Sequence, residues 1–433
     1  MVKKFYILTF GCQMNEYDSE VLESILSADG YILTGKPDEA DLAVINTCSV
    51  RKKAETRAMA RIAQIAALKK DKRSFKVVVA GCMAKRAGQA IIDQIPGVDY
   101  VIGPDFIPEI PDIIDSPETK KIYIDEKGGV EGLTNGFKGG RPTAFLAITK
   151  GCENYCSYCI VPYVRGSMRS RPVDSILAEI KLLKNSGVKE ITLLGQNVNS
   201  YNDNGIDFPS LLRLIAPDSP PRLRFLTSHP KDISDNLIAC FAEIPSLCQS
   251  LHLPLQSGSD KILEAMNRGY TAKHYLGLIE KLRRMAPDIS LSTDLIVGFP
   301  GETEDDFQQT LDLVKEIEYD SAFMFRYSVR PGTKAAEFAD DVPEEVKIER
   351  LNKLISLQQG IADKRSARWV GCSIEVLIEK KSRREPFYPQ GKTRGGQSVI
   401  ITNNDHLNVG ELIIAKIESS RSKTLFGQAE KLA

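Results

Sequence analysis

Three strand-like runs in the first part of the chain each end in a cysteine. Cys12 follows FYILTF, Cys48 follows DLAVINT and Cys82 follows KVVVAG, at separations of 36 and 34 residues. Helical patterns such as SEVLESILSADG and KAETRAMARIAQIAALKK separate these runs, and this alternation predicts an α/β domain with a parallel sheet. Because the carboxyl ends of parallel strands meet at one edge, we expect the three sulfurs to lie together there.

The cysteine content favours metal binding over disulfides. A single cysteine at a strand end is more often structural, but three at equivalent positions favour a set of ligands. The chain has nine cysteines, an odd number. Its start, MVKKFYILTF, has too short an apolar run and no cleavage site for a signal peptide, and no segment approaches the about 18 apolar residues of a membrane span. We therefore expect a cytoplasmic protein without a disulfide framework. The sequence assigns no role to Cys240, Cys248 and Cys372.

Two further domains follow a glycine-rich linker, EKGGVEGLTNGFKGGRPT. Six strand-like runs with helices after most of them predict an incomplete (β/α)6 barrel of the TIM type. The runs are AFLAITK, EITLLGQ, LRFLTS, SLHLPLQ, SLSTDLIVG and AFMFRYS. A helix from about Pro343 to Ala367 then leads to SIEVLIEK, SVIIT and ELIIAKIES, which predict a small β-barrel. The chain of 433 residues is long enough for three domains, expected at 1–118, 138–366 and 367–433.

A second set of cysteines lies just after the first barrel strand. The segment GCENYCSYC places Cys152, Cys156 and Cys159 in a C-x3-C-x2-C spacing. Three thiolates so close together can hold three irons of a cubane cluster, and with no fourth cysteine nearby one iron stays open. A zinc knuckle is the alternative, but structural zinc takes four protein ligands and the nearest histidine in sequence is His229. Thiol packing alone fits less well, because Glu, Asn and Ser flank the cysteines.

This spacing, with Tyr158 before the last cysteine, resembles the radical S-adenosylmethionine superfamily. The resemblance implies that the open iron binds the amino and carboxylate groups of S-adenosyl-L-methionine and that an electron from the cluster splits the sulfonium to give a 5'-deoxyadenosyl radical. The cofactor carries the difficult chemistry, while the protein positions it and excludes water. In this context we interpret Cys12, Cys48 and Cys82 as ligands of a second 4Fe-4S cluster.

The whole chain resembles the methylthiotransferase family. GCQMNEYDSE, INTCSVRKKAE, GQNVNSY and LPLQSGSD are most similar to the bacterial tRNA 2-methylthio-dimethylallyladenosine synthases, the MiaB type. The resemblance implies a flavodoxin-like first domain, a TRAM-type last domain, two 4Fe-4S clusters, and insertion of a methylthio group at carbon 2 of isopentenyl-adenosine at tRNA position 37. That carbon is neither acidic nor a good electrophile, so acid–base catalysis alone is unsuited to it.

Few residues separate the subfamilies. The relative that modifies a ribosomal protein usually has a Lys-Asn pair where this chain has Met14 and Asn15, and the relative that acts on threonylcarbamoyl-adenosine usually lacks the Gln13-Met14 pair. Methylthiolation of either of those substrates is an alternative, and an iron–sulfur electron-transfer or cluster-delivery protein is another. The last alternative would need neither GQNVNSY nor LPLQSGSD. One departure from the family is Met168, where many relatives have Glu.

The resemblance also implies a cofactor pocket at the carboxyl ends of the barrel strands. The end of the second strand would meet the methionine amino group, the fifth strand would meet ribose and adenine, and Arg268 would pair with the cofactor carboxylate. Each of these residues taken singly has an alternative interpretation as a loop or capping residue. The predicted pocket residues are Gly195, Gln196, Asn197, Ser228, His229, Gln256, Arg268, Thr293, Asp294 and Ile296.

Because the formal net charge is zero, attraction to nucleic acid must be local. Residues 366–433 hold 11 Lys or Arg against 7 Asp or Glu, net +4, which leaves −4 for the rest. A solvated surface would show similar runs, but the resemblance to a TRAM domain favours contacts with RNA phosphates. The predicted RNA-binding residues are Lys380, Lys381, Arg383, Arg384, Lys392 and Arg394 in the tail, and Arg165, Arg169 and Arg171 after the radical cluster.

The expected partners follow from the resemblance. They are the anticodon stem-loop of tRNA, an electron donor such as flavodoxin or ferredoxin, and a source of sulfur. We expect a monomer with no membrane partner.

Overall fold

The N-terminal part of the computed structural model is a parallel sheet covered by helices; the structure describes residues 2–49, 52–116, 120–128, 139–382, 387–403 and 406–432. The strands are β1 (Lys4–Thr9), β2 (Ile32–Leu33), β3 (Leu42–Thr47), β4 (Lys76–Gly81), β5 (Tyr100–Ile102) and β6 (Ile122–Tyr123). The helices are α1 (Gln13–Ala28), α2 (Lys52–Ala66), α3 (Cys82–Ala87), α4 (Gln89–Gln94) and α5 (Ile110–Asp115). The strand order, β2-β1-β3-β4-β5-β6, begins with the flavodoxin-like order, as expected.

The helix α1 begins earlier than the sequence pattern indicated. The predicted helical run starts at Ser19, whereas α1 begins at Gln13 with Cys12 as its N-cap residue. Most residues in the first two turns of α1 are polar, and two of them, Asn15 and Asp18, are buried. The polar segment after Cys12 is therefore helical, and it packs against other parts of the molecule.

The middle part is an open barrel. Its strands and short pairings are β7 (Thr143–Ala147), β8 (Thr149–Lys150), β9 (Arg169–Ser170), β10 (Glu190–Leu194), β11 (Asn202–Asp203), β12 (Ile206–Asp207), β13 (Arg222–Phe225), β14 (Ser250–His252), β15 (Ser290–Val297) and β16 (Ser321–Arg326). Its helices are α6 (Val161–Arg165), α7 (Val173–Asn185), α8 (Phe208–Ile215), α9 (Asp235–Glu243), α10 (Asp260–Ala265), α11 (Ala272–Met285) and α12 (Glu304–Ile317).

Six of these strands form the barrel, and the predicted incomplete TIM-type fold is confirmed. β7, β10 and β13 form one parallel sheet, and β14, β15 and β16 form another. Within the described residues, a bridge between Leu223 of β13 and Leu247, just before β14, connects the two sheets. Residues 129–138, most of the predicted linker before β7, lie outside the described residues.

The first helix of the N-terminal part packs against the strands of the barrel. Met14, Tyr17 and Val21 of α1 form one core cluster with Ala147 and Leu194 from β7 and β10. The neighbouring residues on the other face of the same strands pack against the barrel's own helices. Because side chains alternate across a strand, α1 covers the inner face of the barrel. The N-terminal part and the barrel therefore share a core.

The C-terminal part is a closed barrel that follows a long helix, α13 (Glu344–Ala367). Its strands are β17 (Ser373–Lys381), β18 (Pro389–Thr393), β19 (Ser398–Ile401), β20 (Leu412–Arg421) and β21 (Thr424–Leu432). They close in the order β17-β18-β19-β21-β20, which confirms the predicted small β-barrel. The sequence pattern did not reveal β18 and β21, because polar residues and glycine interrupt their apolar residues.

The small barrel packs against the amino ends of the large barrel's strands. Arg222, the first residue of β13, is fully buried and donates to the Glu375 carboxylate at 3.0 Å and the Lys392 carbonyl at 2.8 Å. Gln397 donates to Ser290, the first residue of β15, at 2.5 Å. The small barrel thus lies at the end of the large barrel opposite to the loop between β8 and α6, which carries Cys152, Cys156 and Cys159. None of the described helices is both long enough and apolar enough to span a bilayer.

Candidate functional site

The loop between β8 and α6 carries Cys152, Cys156 and Cys159 in a mostly buried setting. Ser157 anchors this loop, since its amide donates to the Met266 carbonyl at 3.0 Å. Burial, with the neighbouring Cys156 as a second cause, raises the pKa of Cys159 to about 12. Thiolates at such a position need a compensating cation, which the irons of a cluster would supply.

Arg268 lies at one of these cysteines. Its side chain is buried, and its Nη1 donates to the Cys156 sulfur at 3.2 Å and to the Tyr158 hydroxyl at 3.4 Å. The Nη2 atom donates to the Pro254 carbonyl at 2.9 Å, and Nε donates to Tyr270 at 3.0 Å. The donors of Arg268 are thus directed at a cysteine sulfur and at protein oxygens, where the sequence analysis expected the carboxylate of the cofactor.

Buried polar atoms without a partner in the described chain converge at the carboxyl ends of the barrel strands. Such atoms are rare in folded proteins and call for an explanation. Four of the predicted pocket residues carry one, and so does Thr149, which the sequence analysis did not single out. The atoms are Thr149 Oγ1, Asn197 Oδ1, Ser228 Oγ, His229 Nε2 and Gln256 Oε1. These residues fit a polar cofactor that would satisfy their free donors and acceptors.

The His229 imidazole, which belongs to this group of residues, has a defined protonation state. Burial is the main cause that lowers the pKa of His229 to about 2, and the charges of Arg268 and Lys231 add to it. The Nδ1 atom accepts a hydrogen bond from the Lys231 amide at 3.3 Å. The imidazole is therefore neutral at physiological pH, with the proton on Nε2, the ring nitrogen without a partner.

The remaining predicted pocket residues have different surroundings. Gln196 accepts a hydrogen bond from the Gly151 amide at 2.5 Å and so supports the cysteine loop. A side chain at Gly195 would collide with the Thr149 hydroxyl. Asp294 and Ile296 are half-buried residues on one face of β15. Thr293 lies on the opposite, fully buried face, where its hydroxyl accepts from the Leu255 amide at 2.9 Å, so the structure places Thr293 in the packing behind the site.

Backbone strain accumulates around the same strand ends. Tyr155, Thr227 and Gln256 have φ angles of 44°, 66° and 72°, in the left-handed region that side chains other than glycine disfavour. Tyr155 lies within the cysteine loop, and its carbonyl accepts from the Asn267 side chain at 3.0 Å. Strain of this kind persists where the surrounding structure fixes it and is concentrated at functional sites.

The second cysteine set lies at the carboxyl edge of the N-terminal sheet, as the spacing predicted. Cys12 caps α1, Cys48 follows β3, and Cys82 is the first residue of α3 after β4. Gly11 lies directly against Cys48, since a β-carbon added to Gly11 would be 2.8 Å from the Cys48 β-carbon. Electrostatic interaction between Cys12 and Cys82 adds to burial in raising the pKa of Cys82.

Two asparagines connect the strand ends that carry these cysteines. The Cys12 thiol donates to the Asn15 side chain at 3.4 Å, and the Asn15 amide donates to Asn46 at 3.1 Å and to the Thr47 carbonyl at 3.2 Å. Asn46 in turn donates to the Asn15 carbonyl at 2.9 Å. This network fixes the end of β1 relative to the end of β3.

All nine cysteines are free thiols. Within the part of the chain that the structure describes, no three His, Cys, Asp or Glu side chains converge on the position of a single metal ion. In a 4Fe-4S cluster each cysteine ligates the cluster separately, so its ligands are spread more widely than those of one ion.

The three arginines predicted to face RNA near the radical site are engaged inside the protein. The Arg165 side chain is 3% exposed and pairs with Asp18 at 2.7 Å. The Arg171 side chain is 2% exposed and pairs with Glu179 at 2.5 Å. Arg169 is 10% exposed at its side chain and donates to the Arg165 carbonyl at 3.0 Å. Their positions leave little surface for phosphates, so we withdraw these three residues as RNA contacts.

The basic residues of the C-terminal barrel divide into two groups. Lys380, Lys381 and Lys392 are exposed, and Lys392 lies 3.5 Å from Glu379. Arg394 instead donates to the carbonyls of Pro221 and Leu247 and so joins the two barrels. Arg383 and Arg384 lie outside the described residues.

Besides Thr149, an aromatic pair beside Cys152, Cys156 and Cys159 was not predicted from the sequence. Tyr155 and Tyr163 are each 49% exposed, and their rings meet edge to face with centroids 6.1 Å apart. The signal available in the sequence was only that both tyrosines lie within eight positions of the cysteine triad.

Comparisons with known proteins agree with this architecture. Residues 4–103 match a family described as Uncharacterized protein family UPF0004, and residues 146–314 match the Radical SAM superfamily. A solved structure of the radical S-adenosylmethionine methyltransferase TsrM from Kitasatospora setae, with cobalamin and a [4Fe-4S] cluster bound, matches with a TM-score of 0.59 at 14% identity, over 77% of this chain and 74% of that one. This likeness supports the fold.

Relatives of higher identity define the family. The chain is 45% identical to the tRNA-2-methylthio-N(6)-dimethylallyladenosine synthase of Porphyromonas gingivalis, over 98% of this chain and 95% of the relative. It is 44% identical to the synthase of the same name from Clostridium novyi, over 98% of this chain and 96% of the relative. The chain therefore belongs to the tRNA-2-methylthio-N(6)-dimethylallyladenosine synthase family of radical SAM methylthiotransferases, which use S-adenosylmethionine and 4Fe-4S clusters.

Proposed function

We propose that this enzyme inserts a methylthio group at carbon 2 of isopentenyl-adenosine at position 37 of tRNA. The observation that carries the proposal is the closeness of its two cysteine sets. Cys82 of the N-terminal set forms a small buried cluster with Ile160 and Val164, on and just before α6. This helix begins two residues after Cys159 of the radical set. Two cluster sites separated by one short helix suit a reaction that joins radical chemistry to sulfur transfer.

The cofactor pocket in this proposal consists of the strand-end residues with free polar atoms. Asn197, Ser228, His229, Gln256 and Thr149 would bind S-adenosylmethionine. When bound at the radical cluster, this cofactor supplies the radical chemistry that a carbon without acidic hydrogen requires. Arg268 holds the Cys156 ligand, and neutral His229 offers its free ring N–H as a donor without adding charge.

The RNA-binding surface is proposed at two places. The exposed residues Lys380, Lys381 and Lys392 would contact phosphates of the anticodon stem. Tyr155 and Tyr163, beside the radical site, would stack on unpaired bases of the loop. If so, replacing both tyrosines with Ala weakens binding of the anticodon stem-loop, whereas replacing both with Phe preserves it.

Several further features belong to the same proposal. We place the enzyme in the cytoplasm as a monomer with three units, residues 1–118, 138–366 and 367–433. An electron donor such as flavodoxin or ferredoxin would reduce the clusters, and the reaction needs a source of sulfur. The match over nearly the whole chain to a relative named tRNA-2-methylthio-N(6)-dimethylallyladenosine synthase supports tRNA as the substrate.

A substrate comparison tests the proposal directly. Anaerobically reconstituted enzyme is incubated with prenylated tRNA, unprenylated tRNA, threonylcarbamoylated tRNA and the ribosomal protein, and each product is digested and weighed by mass spectrometry. We expect methylthiolation of prenylated tRNA. Unprenylated tRNA should react more slowly, because recognition of a small apolar group is worth only about 1–3 kcal/mol. Methylthiolation of the threonylcarbamoyl or protein substrate alone would contradict the proposal.

A further inference from the structure

Arg165 comes from the barrel but reaches the cysteine set of the N-terminal sheet. It is the last residue of α6 and is 3% exposed. Its Nε donates to the Cys82 sulfur at 3.1 Å, and its Nη2 donates to Asp18 of α1 at 2.7 Å. The charge of Arg165 also interacts with Cys12. One guanidinium therefore joins Cys82 to a buried carboxylate.

The third nitrogen of this guanidinium is unused. Arg165 Nη1 is buried and has no hydrogen-bond partner among the residues that the structure describes. A guanidinium is planar and presents its donors in a fixed fork, so Nη1 is held rigidly on the same group that contacts the Cys82 sulfur and the Asp18 carboxylate. An unsatisfied donor on a buried cation is costly, and an anion is the ligand that would satisfy it.

The cysteine set itself leaves room for such an anion. Three cysteines ligate three irons of a 4Fe-4S cluster, and the fourth iron then needs a ligand that these cysteines do not provide. Soft anionic sulfur compounds are suited to this iron. A cation with a free N–H donor beside the cluster would stabilise the negative charge that such a ligand adds.

We propose that Arg165 is a positioning residue of the auxiliary site, the cluster site formed by Cys12, Cys48 and Cys82. Arg165 holds the Cys82 ligand through Nε and an anionic sulfur ligand of the cluster through Nη1. The proposal rests on the proposed function only for the presence of a 4Fe-4S cluster at Cys12, Cys48 and Cys82. Hydrogen bonds to the sulfurs and local charge set the reduction potential of such clusters. Arg165 should therefore also make the auxiliary cluster easier to reduce.

The test measures the auxiliary cluster alone, in the full chain with Cys152, Cys156 and Cys159 replaced by Ala. Sodium methanethiolate is the probe, and its binding is followed by electron paramagnetic resonance of the reduced cluster. A hydrogen bond to a charged group corresponds to roughly 10- to 100-fold in affinity. We expect Arg165→Gln to bind methanethiolate weaker by about this factor, to show a more negative potential, and to keep its iron. Arg165→Lys should recover part of both properties, because it keeps the positive charge.

Two controls separate this role from general destabilisation. Arg165→Gln leaves Asp18 as an unpaired buried charge, so the double variant Arg165→Gln/Asp18→Asn removes both charges. Arg350→Gln removes another buried arginine, which pairs with Glu302 at 2.8 Å and touches no cysteine. Arg350→Gln should leave the potential and the methanethiolate affinity unchanged, whereas the double variant should behave like Arg165→Gln.

Unchanged potential and unchanged methanethiolate affinity in Arg165→Gln would overturn the proposal. So would a failure of both Arg165→Lys and the double variant to assemble the cluster, since Arg165 would then serve only to hold the structure. These measurements do not depend on the nucleic-acid substrate. A parent enzyme that methylthiolates another substrate, with Arg165→Gln still impaired in binding methanethiolate, would contradict the proposed function and leave the role of Arg165 intact.

Discussion

Substitution of Gly11 by Ala should remove the auxiliary cluster and spare the radical cluster. Gly11 has φ +143°, a conformation that L-residues rarely adopt, and a β-carbon there would lie 2.7 Å from Asn15 Cγ and 2.8 Å from Cys48 Cβ. Backbone strain of this kind costs about 1–3 kcal/mol. Overpacking adds roughly 1–3 kcal/mol. These costs are a large part of the about 5–15 kcal/mol by which whole domains are stable. We therefore expect Cys48 and Asn15 to shift away from residue 11, because that displacement relieves the clash.

The assay for Gly11→Ala combines iron analysis with product analysis. Loss of about half the iron should accompany loss of methylthiolation, while formation of 5'-deoxyadenosine continues. Gly30→Ala is the matched control, since Gly30 has φ +86° and no atom within 4 Å of the added β-carbon. It carries the backbone strain without the collision and should retain both clusters. Full iron content and full methylthiolation in Gly11→Ala would refute the packing described at the auxiliary site.

Three further predictions use other parts of the molecule. Replacing Cys152, Cys156 and Cys159 with Ala should leave about half the iron and abolish 5'-deoxyadenosine formation; iron content unchanged in this variant and in the corresponding variant of Cys12, Cys48 and Cys82 would show that the ligands are misassigned. Replacing Lys380, Lys381 and Lys392 with Ala should weaken tRNA binding. The slope of the logarithm of the binding constant against the logarithm of the salt concentration should become shallower by about 0.9 per lost phosphate contact, and an unchanged slope would exclude these contacts. Burial raises the pKa of Glu302 to about 7 from 4.5, so the folded state retains a proton that the unfolded chain releases. The free energy of unfolding should therefore fall as the pH rises from about 4.5 to about 7, and chemical denaturation of Glu302→Gln should show no such fall.

The lysine variants are a cleaner test than removal of the C-terminal barrel. A chain shortened at Ala367 would lose Glu375 and Lys392, the partners of Arg222. Arg222 is fully buried and would be left with unsatisfied donors. Weaker tRNA binding by the shortened chain would then report damage to the large barrel as well as the loss of basic residues.

The positions of the cysteines could be predicted because they depend on periodicity. Each of Cys12, Cys48 and Cys82 follows a continuous apolar run, and the strand order of a parallel sheet then brings the strand ends together. The same reasoning placed Asn197, Ser228 and Gln256 at one end of the barrel. The start of α1 was missed because most residues of its first two turns are polar, and polar residues are normally exposed. Here Asn15 and Asp18 are buried by contacts distant in sequence.

The orientation of individual side chains could not be predicted in the same way. Arg165, Arg169 and Arg171 form a basic run in the sequence, and a basic run normally indicates a solvated or RNA-facing surface. Their partners Asp18, Asp105 and Glu179 are contributed by separate elements, so no local pattern reveals the pairs. The face of β15 on which Thr293 lies could not be predicted either. Side chains alternate between the two faces of a strand, and only the register of the assembled sheet decides which face Thr293 occupies.

The packing of α1 against the barrel strands β7 and β10 bears on how such enzymes can be recombined. A chimaera cut in the segment before β7 would combine the α1 of one parent with the barrel of another. Met14, Tyr17 and Val21 would then meet foreign residues in place of Ala147 and Leu194. In a functional chimaera, α1 and the strands that it covers should therefore come from the same parent, even though they are more than 100 positions apart in the sequence.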